Sequence, residues 1–427
     1  MTRHLTVLLY DQVIGHVTQT DHGNHTFTYT LVHTARPDAT PLSLSMPVAE
    51  STYSGRAIRR YMLGLLPDSE DVRTRWANQF GVSAENPFAL LEHMGLDCAG
   101  AVQLVPAGDD PDIDPGDDAG ASSRLQPMTD TEIGARLTAL RADDSAWTVA
   151  GDRWSLGGAQ GKFALARDAN GHWCEPLGRA ASTHIIKPGV VGYRDQALNE
   201  HVCLSAARLL GLPAVRSQYT EFEGNPALIV ERYDRRRTTT GGVRRIHQED
   251  TCQALSVLPR RKYEASGGPG AGKIADLLRR AATQGDVDLF VKGVIFNYLV
   301  GAPDAHAKNY SVLLAGRDVR LAPLYDIASG LPYDAERADS EIHRSAMAIG
   351  GQRDFGSVEG RHWDRFAAAC RVPRDFVRDE VTRQATALPG ALETALDPFR
   401  RHELRGRLLT AVTALVSTTL QRLSDTR

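Results

Sequence analysis

The first hundred residues alternate between short apolar runs and polar turns. The runs LTVLLY and VIGHVTQ are separated by the polar pair Asp11-Gln12, and this spacing predicts two strands joined as a hairpin. NPFALLEHMG has helical spacing and predicts a short helix that ends at Gly95. Residues 1–105 are therefore predicted to form a β-rich N-terminal subdomain.

A strongly acidic segment separates this subdomain from the rest of the chain. Residues 106–127, PAGDDPDIDPGDDAGASSRLQP, are rich in Asp, Pro and Gly. Such a segment offers too little apolar surface to pack, so it predicts a flexible linker.

Residues 128–235 mix helical and strand-like spacing. TDTEIGARLTALRA and DQALNEHVCLSAARLLG predict helices, the second of them between Asp195 and Gly211. Strands are predicted in GKFALARDANGHWCEP, around an Asn-Gly turn, and in THIIKP, AVRSQYTEF and PALIVERYD. We expect this segment to form a mixed lobe.

Beyond residue 235 the spacing is mainly helical. DVDLFVKGVIFNYLV and RRHELRGRLLTAVTALVSTTLQRL predict two long helices. Residues 236–427 are therefore predicted to be an all-helical lobe, and the fold class is α+β. A strand-bearing lobe followed by a helical lobe can hold a nucleotide in the cleft between them.

Composition and charge narrow the class of protein. Of the 427 residues, 42% are hydrophobic and 24% are charged, as in ordinary globular proteins. The formal net charge of −3 gives no basic field that would mark nucleic acid as a main ligand. The five cysteines form no CxxC pair, which argues against a zinc site and against a disulfide framework. We find no signal-peptide pattern and no apolar run long enough to span a membrane, so we expect a cytoplasmic protein.

The segment GAPDAHAKNYS, residues 301–311, presents polar side chains directly after the apolar run VKGVIFNYLV. Asp304 and Asn309 have the spacing D-x-x-x-x-N, and Asp326 follows in LAPLYDIASG. Phosphoryl transfer needs one carboxylate for the acceptor hydroxyl, and an amide oxygen with a second carboxylate to hold Mg²⁺. The spacing matches a protein-kinase catalytic loop. The same residues would also serve as turn residues after a helix.

Two further segments could contact phosphate groups. Lys187 ends THIIKP and Glu200 lies on the next predicted helix, as in kinases that pair a strand lysine with a helix glutamate. The glycines of WSLGGAQGKFAL allow backbone N–H groups to approach an anion, but Leu156 and Phe163 exclude a Walker A loop. Taken singly, Glu200 is better explained as a helix-surface residue and the glycines as the start of a strand.

Taken together, the segments resemble the HipA-like serine/threonine kinases, which are the toxin halves of bacterial toxin–antitoxin pairs. The matching segments occur in the family's order: SLGGAQGKFAL, THIIKP, the helix containing NEH, IVERYDR, HQEDTCQAL, GAPDAHAKNYS and LAPLYDIAS. The N-terminal segment, with MGLDCAGAVQL near its end, resembles the family's N-terminal subdomain. The resemblance covers nearly the whole chain and implies a two-lobed protein-kinase-like fold.

The resemblance implies a role for each matching residue. Asp304 would be the catalytic aspartate, Asn309 and Asp326 would bind Mg²⁺, and Lys187 would contact the phosphates of ATP. Further nucleotide contacts are implied for residues of the phosphate-facing loop, the hinge and the catalytic loop: Gly157, Gly158, Ala159, Gln160, Gly161, Lys162, Glu231, Arg232, Tyr233, His306, Lys308 and Tyr325.

Ser155 matches the serine that the family autophosphorylates, in a state whose loop is ejected and no longer allows ATP to bind. An added charge of about −2 beside a phosphate site gives a physical reason for this self-inhibition. The chain departs from the family pattern at the loop, where Leu156 precedes Gly157-Gly158 and Gly161 replaces a larger residue. A looser loop would alter autophosphorylation without abolishing kinase activity.

The resemblance also implies partners. These are a HipB-like helix-turn-helix antitoxin, through which DNA would be contacted indirectly, and a protein substrate such as an aminoacyl-tRNA synthetase or another translation component. Two other functions stay open: a small-molecule kinase, and a catalytically weak subunit that acts on DNA through its antitoxin. The intact set of Lys187, Asp304, Asn309 and Asp326 argues against the weak subunit.

Overall fold

A computed structural model describes residues 2–106, 123–149, 151–239, 241–333 and 340–424. The chain divides into two compact units. Unit 1 comprises Met1–Gly189, Thr220–Arg260 and Val312–Val319, and unit 2 comprises Val190–Tyr219, Arg261–Ser311 and Arg320–Arg427. No helix among the described residues has the length and apolarity needed to cross a lipid bilayer.

The elements up to residue 189 all belong to unit 1. They are, in chain order, β1 Arg3–Leu9, β2 Gln12–Gln19, β3 His25–Tyr29, α1 Leu31–Thr34, β4 Thr52–Ser54, α2 Arg56–Leu65, α3 Glu70–Phe80, α4 Pro87–Met94, β5 Val102–Pro106, β6 Ser123–Pro127, α5 Asp130–Ala142, β7 Phe163–Arg167, β8 Trp173–Gly178 and β9 His184–Lys187.

The later elements are more helical. They are α6 Gln196–Leu209, β10 Ser217–Phe222, β11 Asn225–Glu231, β12 Arg235–Arg237, β13 Val243–Arg245, β14 His247–Asp250, α7 Thr251–Ala254, α8 Ala271–Ala281, α9 Gln284–Leu299, β15 Ser311–Ala315, β16 Asp318–Leu321, β17 Arg344–Ile349, β18 Gln352–Asp354, α10 Gly360–Cys370, α11 Arg374–Leu396 and α12 Leu404–Ser424.

The predicted N-terminal hairpin is confirmed, because β1 and β2 pair antiparallel. Its turn is Tyr10-Asp11 rather than Asp11-Gln12, since Gln12 already belongs to β2. Tyr10 and Asp11 both have positive φ, 55° and 60°, as tight two-residue hairpin turns require. The hairpin belongs to a five-stranded sheet of order β4-β3-β2-β1-β5. The short helix before Gly95 is also confirmed, as α4.

The second sheet has the order β10-β11-β9-β7-β8-β6 and includes the strands predicted around the Asn-Gly turn and in THIIKP. The last strand of this sheet lies within the predicted linker, residues 106–127, so the linker prediction is wrong at its C-terminal end. Ser123–Pro127 forms β6 and pairs antiparallel with β8, whereas residues 107–122 lie outside the described residues. The edge of β8 supplies the hydrogen-bond partners for β6, and local composition could not reveal them.

The prediction that residues 236–427 are all helical is wrong in detail. The long helices α9 and α12 are present, but β12 to β18 also fall in this range. These strands pair in small sheets of two or three strands, β12-β13, β14-β15-β16 and β17-β18, within a segment whose spacing is mainly helical.

One apolar core joins the N-terminal subdomain to the segment that follows it. Trp76 and Phe88 from the first hundred residues share a buried cluster with Trp154, Phe163 and Ile186. In unit 2 the buried helix α9 packs against α8 and α11. Tyr298 of α9 meets Trp363 of α10 edge to face, with ring centroids 5.4 Å apart.

A buried cluster of charges ties together distant segments of unit 1. The carboxylate of Asp97 accepts hydrogen bonds from Ser182, whose hydroxyl lies at 2.6 Å, and from Arg235 at 2.8 Å and Arg245 at 3.1 Å. Arg232 lies 3.4 Å from Asp97 and pairs with Asp234 at 2.8 Å. Since a buried charge needs a partner, the cluster fixes these segments relative to one another.

Glu249 on β14 is a second buried carboxylate of unit 1. It accepts hydrogen bonds from the Ser43 hydroxyl at 2.6 Å and from the Leu44 N–H at 2.7 Å. Burial raises the pKa of Glu249 to about 8, against the smaller lowering effect of these two hydrogen bonds. At neutral pH the folded protein therefore favours the protonated form of the Glu249 carboxyl.

This shift predicts a pH-dependent stability. Because the folded pKa exceeds the unfolded value of about 4.3, the contribution of Glu249 is fully present below that value and is lost as pH rises through about 8. We expect the unfolding free energy of the wild type, relative to Glu249→Gln, to fall across this window in urea titrations. Glu85→Gln, at an exposed position, is the control and should change the unfolding free energy little. A pH-independent difference for Glu249→Gln would refute the assignment.

Candidate active site

The predicted catalytic loop lies in unit 2, just after α9. The helix ends at Leu299, and Gly301 reverses the chain with φ of 69°. The Asn309 side-chain amide donates to the Asp304 backbone carbonyl at 2.6 Å, which closes the loop. Asn309 is buried, whereas the Asp304 side chain is 60% exposed. The loop thus presents the Asp304 carboxylate outward from a fixed backbone.

Two aromatic side chains contact Asp304. The Tyr263 hydroxyl donates a hydrogen bond to Asp304 Oδ1, and Nε2 of the buried His306 lies 3.8 Å from the same oxygen. The rings of Tyr263 and His306 meet edge to face with centroids 4.9 Å apart. Tyr263 was not predicted from the sequence, because nothing in RRKYEASGG marks a residue that contacts a loop 41 positions away.

Tyr325, which precedes Asp326, forms hydrogen bonds to the catalytic loop. The Tyr325 hydroxyl donates to the Lys308 carbonyl at 2.6 Å and lies 2.7 Å from the Ser311 hydroxyl. Asp326 itself has φ of 59°, which is uncommon for a residue other than glycine and is found at functional sites. The structure therefore brings Asp304, His306, Lys308, Asn309, Tyr325 and Asp326 into one region of unit 2.

The donor chemistry of this region suits Mg²⁺. The Asn309 amide nitrogen is occupied by the Asp304 carbonyl, which leaves the amide oxygen as the group that can ligate a cation. An amide oxygen and one carboxylate are few ligands, but Mg²⁺ normally keeps waters and binds substrate phosphates as well. Among the described residues there is no cluster of three or more His, Cys, Asp and Glu that could hold a metal by itself.

The predicted phosphate-facing loop lies in unit 1, and the Lys162 side chain packs on its glycines. Lys162 Nζ donates to the Gly157 carbonyl at 2.8 Å, and a Cβ at Gly158 would lie 2.6 Å from that ammonium. Gly158 also has φ of 98°, which favours glycine. Ala159 is exposed, and Gln160 beside it is half-buried.

Gly161, where the chain departs from the family pattern, lies in close contact with the carboxylate of Asp144. The Gly161 N–H donates to Asp144 Oδ1 at 3.1 Å, and a Cβ at Gly161 would lie 2.3 Å from the same oxygen. Lys162 Nζ lies 4.8 Å from the centroid of the Trp147 ring. The loop is therefore held by contacts from residues 144–147, which sequence analysis did not single out.

Ser155 is completely buried in this conformation. Its hydroxyl donates to the Leu65 carbonyl at 2.7 Å, and its N–H donates to the Asp97 carbonyl at 3.1 Å. A phosphate could not be added to this hydroxyl without breaking the contact with Leu65. Phosphorylation at Ser155 would therefore require the segment to leave its present position.

The other predicted nucleotide contacts of unit 1 lie on the paired strands β9 and β11 and in the turn after β11. Lys187 of β9 pairs with Leu228 of β11, and Glu231 at the end of β11 pairs with His184. Lys187 is buried and Glu231 is exposed. The Tyr233 hydroxyl donates to Gln248 at 2.5 Å.

Two of the predicted residues have surroundings that differ from the expectation. The Arg232 guanidinium forms ion pairs with Asp97 and Asp234 and donates to the Cys98 carbonyl, so it belongs to the buried charge cluster. Nucleotide binding by Arg232 stays a prediction. Glu200 lies in α6 of unit 2 and is buried rather than at the helix surface. Its pairing with Lys187 also stays a prediction.

Comparison with known proteins identifies the class. The HipA-like C-terminal domain family matches residues 154–392, and the HipA N-terminal domain family matches residues 5–105. Y4mE of Sinorhizobium fredii, whose name describes it as a kinase, is 35% identical over 399 residues, covering 92% of this chain and 92% of that protein. The serine/threonine-protein kinase toxin HipA of Shewanella oneidensis is 29% identical over 370 residues, covering 82% and 80%.

A solved structure agrees with these matches. HipA of Shewanella oneidensis, determined with HipB and operator DNA, has a TM-score of 0.83 and 25% identity and covers 99% of both chains. The α+β kinase-like fold is thus confirmed, and the protein is a serine/threonine protein kinase. The chain belongs to the HipA family of kinase toxins, whose phosphoryl donor is a nucleotide.

Proposed function

We propose that the protein transfers the γ-phosphoryl group of ATP, with Mg²⁺, to a serine or threonine of another protein. The observation that carries this proposal is the form of the loop after α9. Its backbone is closed by the bond from Asn309 to the Asp304 carbonyl, while the Asp304 carboxylate is exposed and able to receive an acceptor hydroxyl. Phosphoryl transfer depends on positioning and charge stabilisation, which a fixed loop can supply.

Each residue has a distinct role in this proposal. Asp304 orients the acceptor hydroxyl and accepts its proton, while Asn309 and Asp326 hold Mg²⁺ through oxygen atoms. When bound, Mg²⁺ neutralises charge on the phosphates. Lys187 and the N–H groups of Gly157–Gln160 bind phosphate oxygens, and Glu231 and Tyr233 contact the adenine. Transfer of label from radiolabelled ATP to protein, in wild type beside Asp304→Asn, tests these roles.

The solved relative suggests the partner. The Shewanella oneidensis HipA was determined in a complex with HipB and operator DNA. We propose that this chain likewise binds a HipB-like helix-turn-helix antitoxin and contacts DNA through it. A translation component, such as an aminoacyl-tRNA synthetase, is the proposed substrate by analogy with the family.

Ser155 is the proposed site of self-phosphorylation. Because its hydroxyl is buried against Leu65, we expect slow autophosphorylation that follows release of the segment. Peptide mapping after incubation with ATP and Mg²⁺ should place the phosphate on Ser155, and Ser155→Ala should abolish it while transfer to other proteins continues. Ser266→Ala, at an exposed position, should behave as wild type. A phosphate at another residue, with Ser155 unmodified, would contradict the assignment.

A further inference from the structure

Three consecutive residues, Lys262 to Glu264, bond to the catalytic loop and to β17 of unit 2. The Lys262 carbonyl accepts the Ala307 N–H of the catalytic loop at 3.2 Å. The Tyr263 hydroxyl donates to Asp304. Glu264 accepts the Ala348 N–H of β17 at 2.7 Å. The segment therefore connects the catalytic loop to β17.

The backbone around Tyr263 is held by a tight turn. The Tyr263 carbonyl accepts the N–H of Gly268 at 2.9 Å and that of Ser266 at 3.1 Å. A Cβ at Gly268 would lie 2.7 Å from the same carbonyl, and a Cβ at Gly270 would lie 2.4 Å from the Glu264 carboxylate. The two glycines allow this close packing, which fixes the position of the Tyr263 backbone.

The side chain of Tyr263 is restrained as well. Its ring packs edge to face on His306, a buried residue of the catalytic loop itself. With the backbone and the ring both fixed, the direction of the hydroxyl toward Asp304 Oδ1 is set before any substrate arrives. A fixed donor of this kind is what a preorganised site needs.

We propose that Tyr263 is a positioning residue that holds the Asp304 carboxylate by Oδ1 and so turns Oδ2 toward the acceptor hydroxyl. The proposal rests on the proposed function, in which Asp304 is the catalytic aspartate. An aspartate side chain that is 60% exposed would otherwise turn among several rotamers, only some of which are productive. The hydrogen bond from Tyr263 selects one of them.

A merely structural role for Tyr263 makes a different prediction. The bond joins a half-buried hydroxyl to an exposed carboxylate, so its loss should change the stability of the fold little. Loss of positioning should instead appear in the rate of transfer. The contrast between turnover and stability therefore separates the two roles.

The test is Tyr263→Phe, which removes only the hydroxyl. We expect kcat for transfer from radiolabelled ATP to fall by roughly 10–100-fold, with KM for ATP and the midpoint of urea unfolding near their wild-type values. Tyr298→Phe is the matched control. Its hydroxyl accepts the Gly356 N–H at 3.0 Å inside unit 2, so this variant should lose stability and keep kcat.

Asp304→Asn, assayed in parallel, shows whether a negative result refutes positioning by Tyr263 or the proposed function itself. If Asp304→Asn is inactive and Tyr263→Phe keeps the wild-type kcat, positioning by Tyr263 is refuted and the proposed function stands. If Asp304→Asn keeps full activity, the proposed function fails, and the inference fails with it. If Tyr263→Phe loses stability and kcat in proportion, the tyrosine is structural and the inference is overturned.

Discussion

Asp304→Asn is expected to reduce phosphoryl transfer by on the order of 10²–10⁴-fold, the usual contribution of a positioned general base. Asparagine keeps the shape of the side chain but cannot accept the proton of the acceptor hydroxyl. The loop should keep its form, because the bond from Asn309 goes to the backbone carbonyl of residue 304 and not to its side chain. Rates with radiolabelled ATP, beside calorimetric ATP binding, measure the effect.

Asp318→Asn is the matched control for this variant. Asp318 is exposed at the start of β16 and has no role in the proposed chemistry, so the same change there should leave the rate of transfer unaltered. A normal transfer rate in Asp304→Asn would show that another residue handles the acceptor hydroxyl. Loss of ATP binding together with loss of rate would indicate damage to the loop.

Asp97→Asn is expected to destabilise unit 1 more than any other substitution considered. The change leaves Arg232 and Arg235 with Asp234 as their carboxylate partner and removes the carboxylate that pairs with the buried Arg245. Removing one partner from a buried ion pair typically costs about 3–5 kcal/mol. Urea unfolding measures the loss, and Asp11→Asn, which breaks the exposed pair with Arg179, should cost less than about 1 kcal/mol.

The pKa of Asp97 gives this prediction a pH dependence. Burial alone would raise the pKa, but Arg235, Arg232 and Arg245 outweigh it and hold the pKa of the carboxyl well below its usual range. A depressed pKa contributes stability that is present above the unfolded value of about 3.9 and is lost as pH falls below it. The difference in stability between wild type and Asp97→Asn should therefore shrink in acid. Equal stabilities at neutral pH would show that the cluster does not hold the unit together.

The sequence reveals the elements whose signals are local. The long apolar helix α9 and the strands β7, β8 and β9 follow from spacing and turn residues within a few positions of one another. The order of motifs around them was sufficient to indicate the family. β6 and β17 were not predicted because each owes its pairing to a partner strand rather than to its own pattern.

The contacts that support the site were less predictable still. Tyr263 reaches Asp304 across 41 residues, and Asp97 binds arginines more than a hundred positions further along the chain. No periodicity or motif spacing encodes such pairs, because they depend on how whole elements pack. Asp144 could have been suspected only from the unusual glycine at position 161, which leaves room for its carboxylate.

The intact mass of the purified protein after incubation with ATP shows whether the protein is an ATP- and Mg²⁺-dependent kinase. One sample contains Mg²⁺ and the other contains a chelator in its place. We expect a gain of one phosphate only in the sample with Mg²⁺. ATP binding without any phosphate gained, on this chain or on an added protein extract, would contradict it.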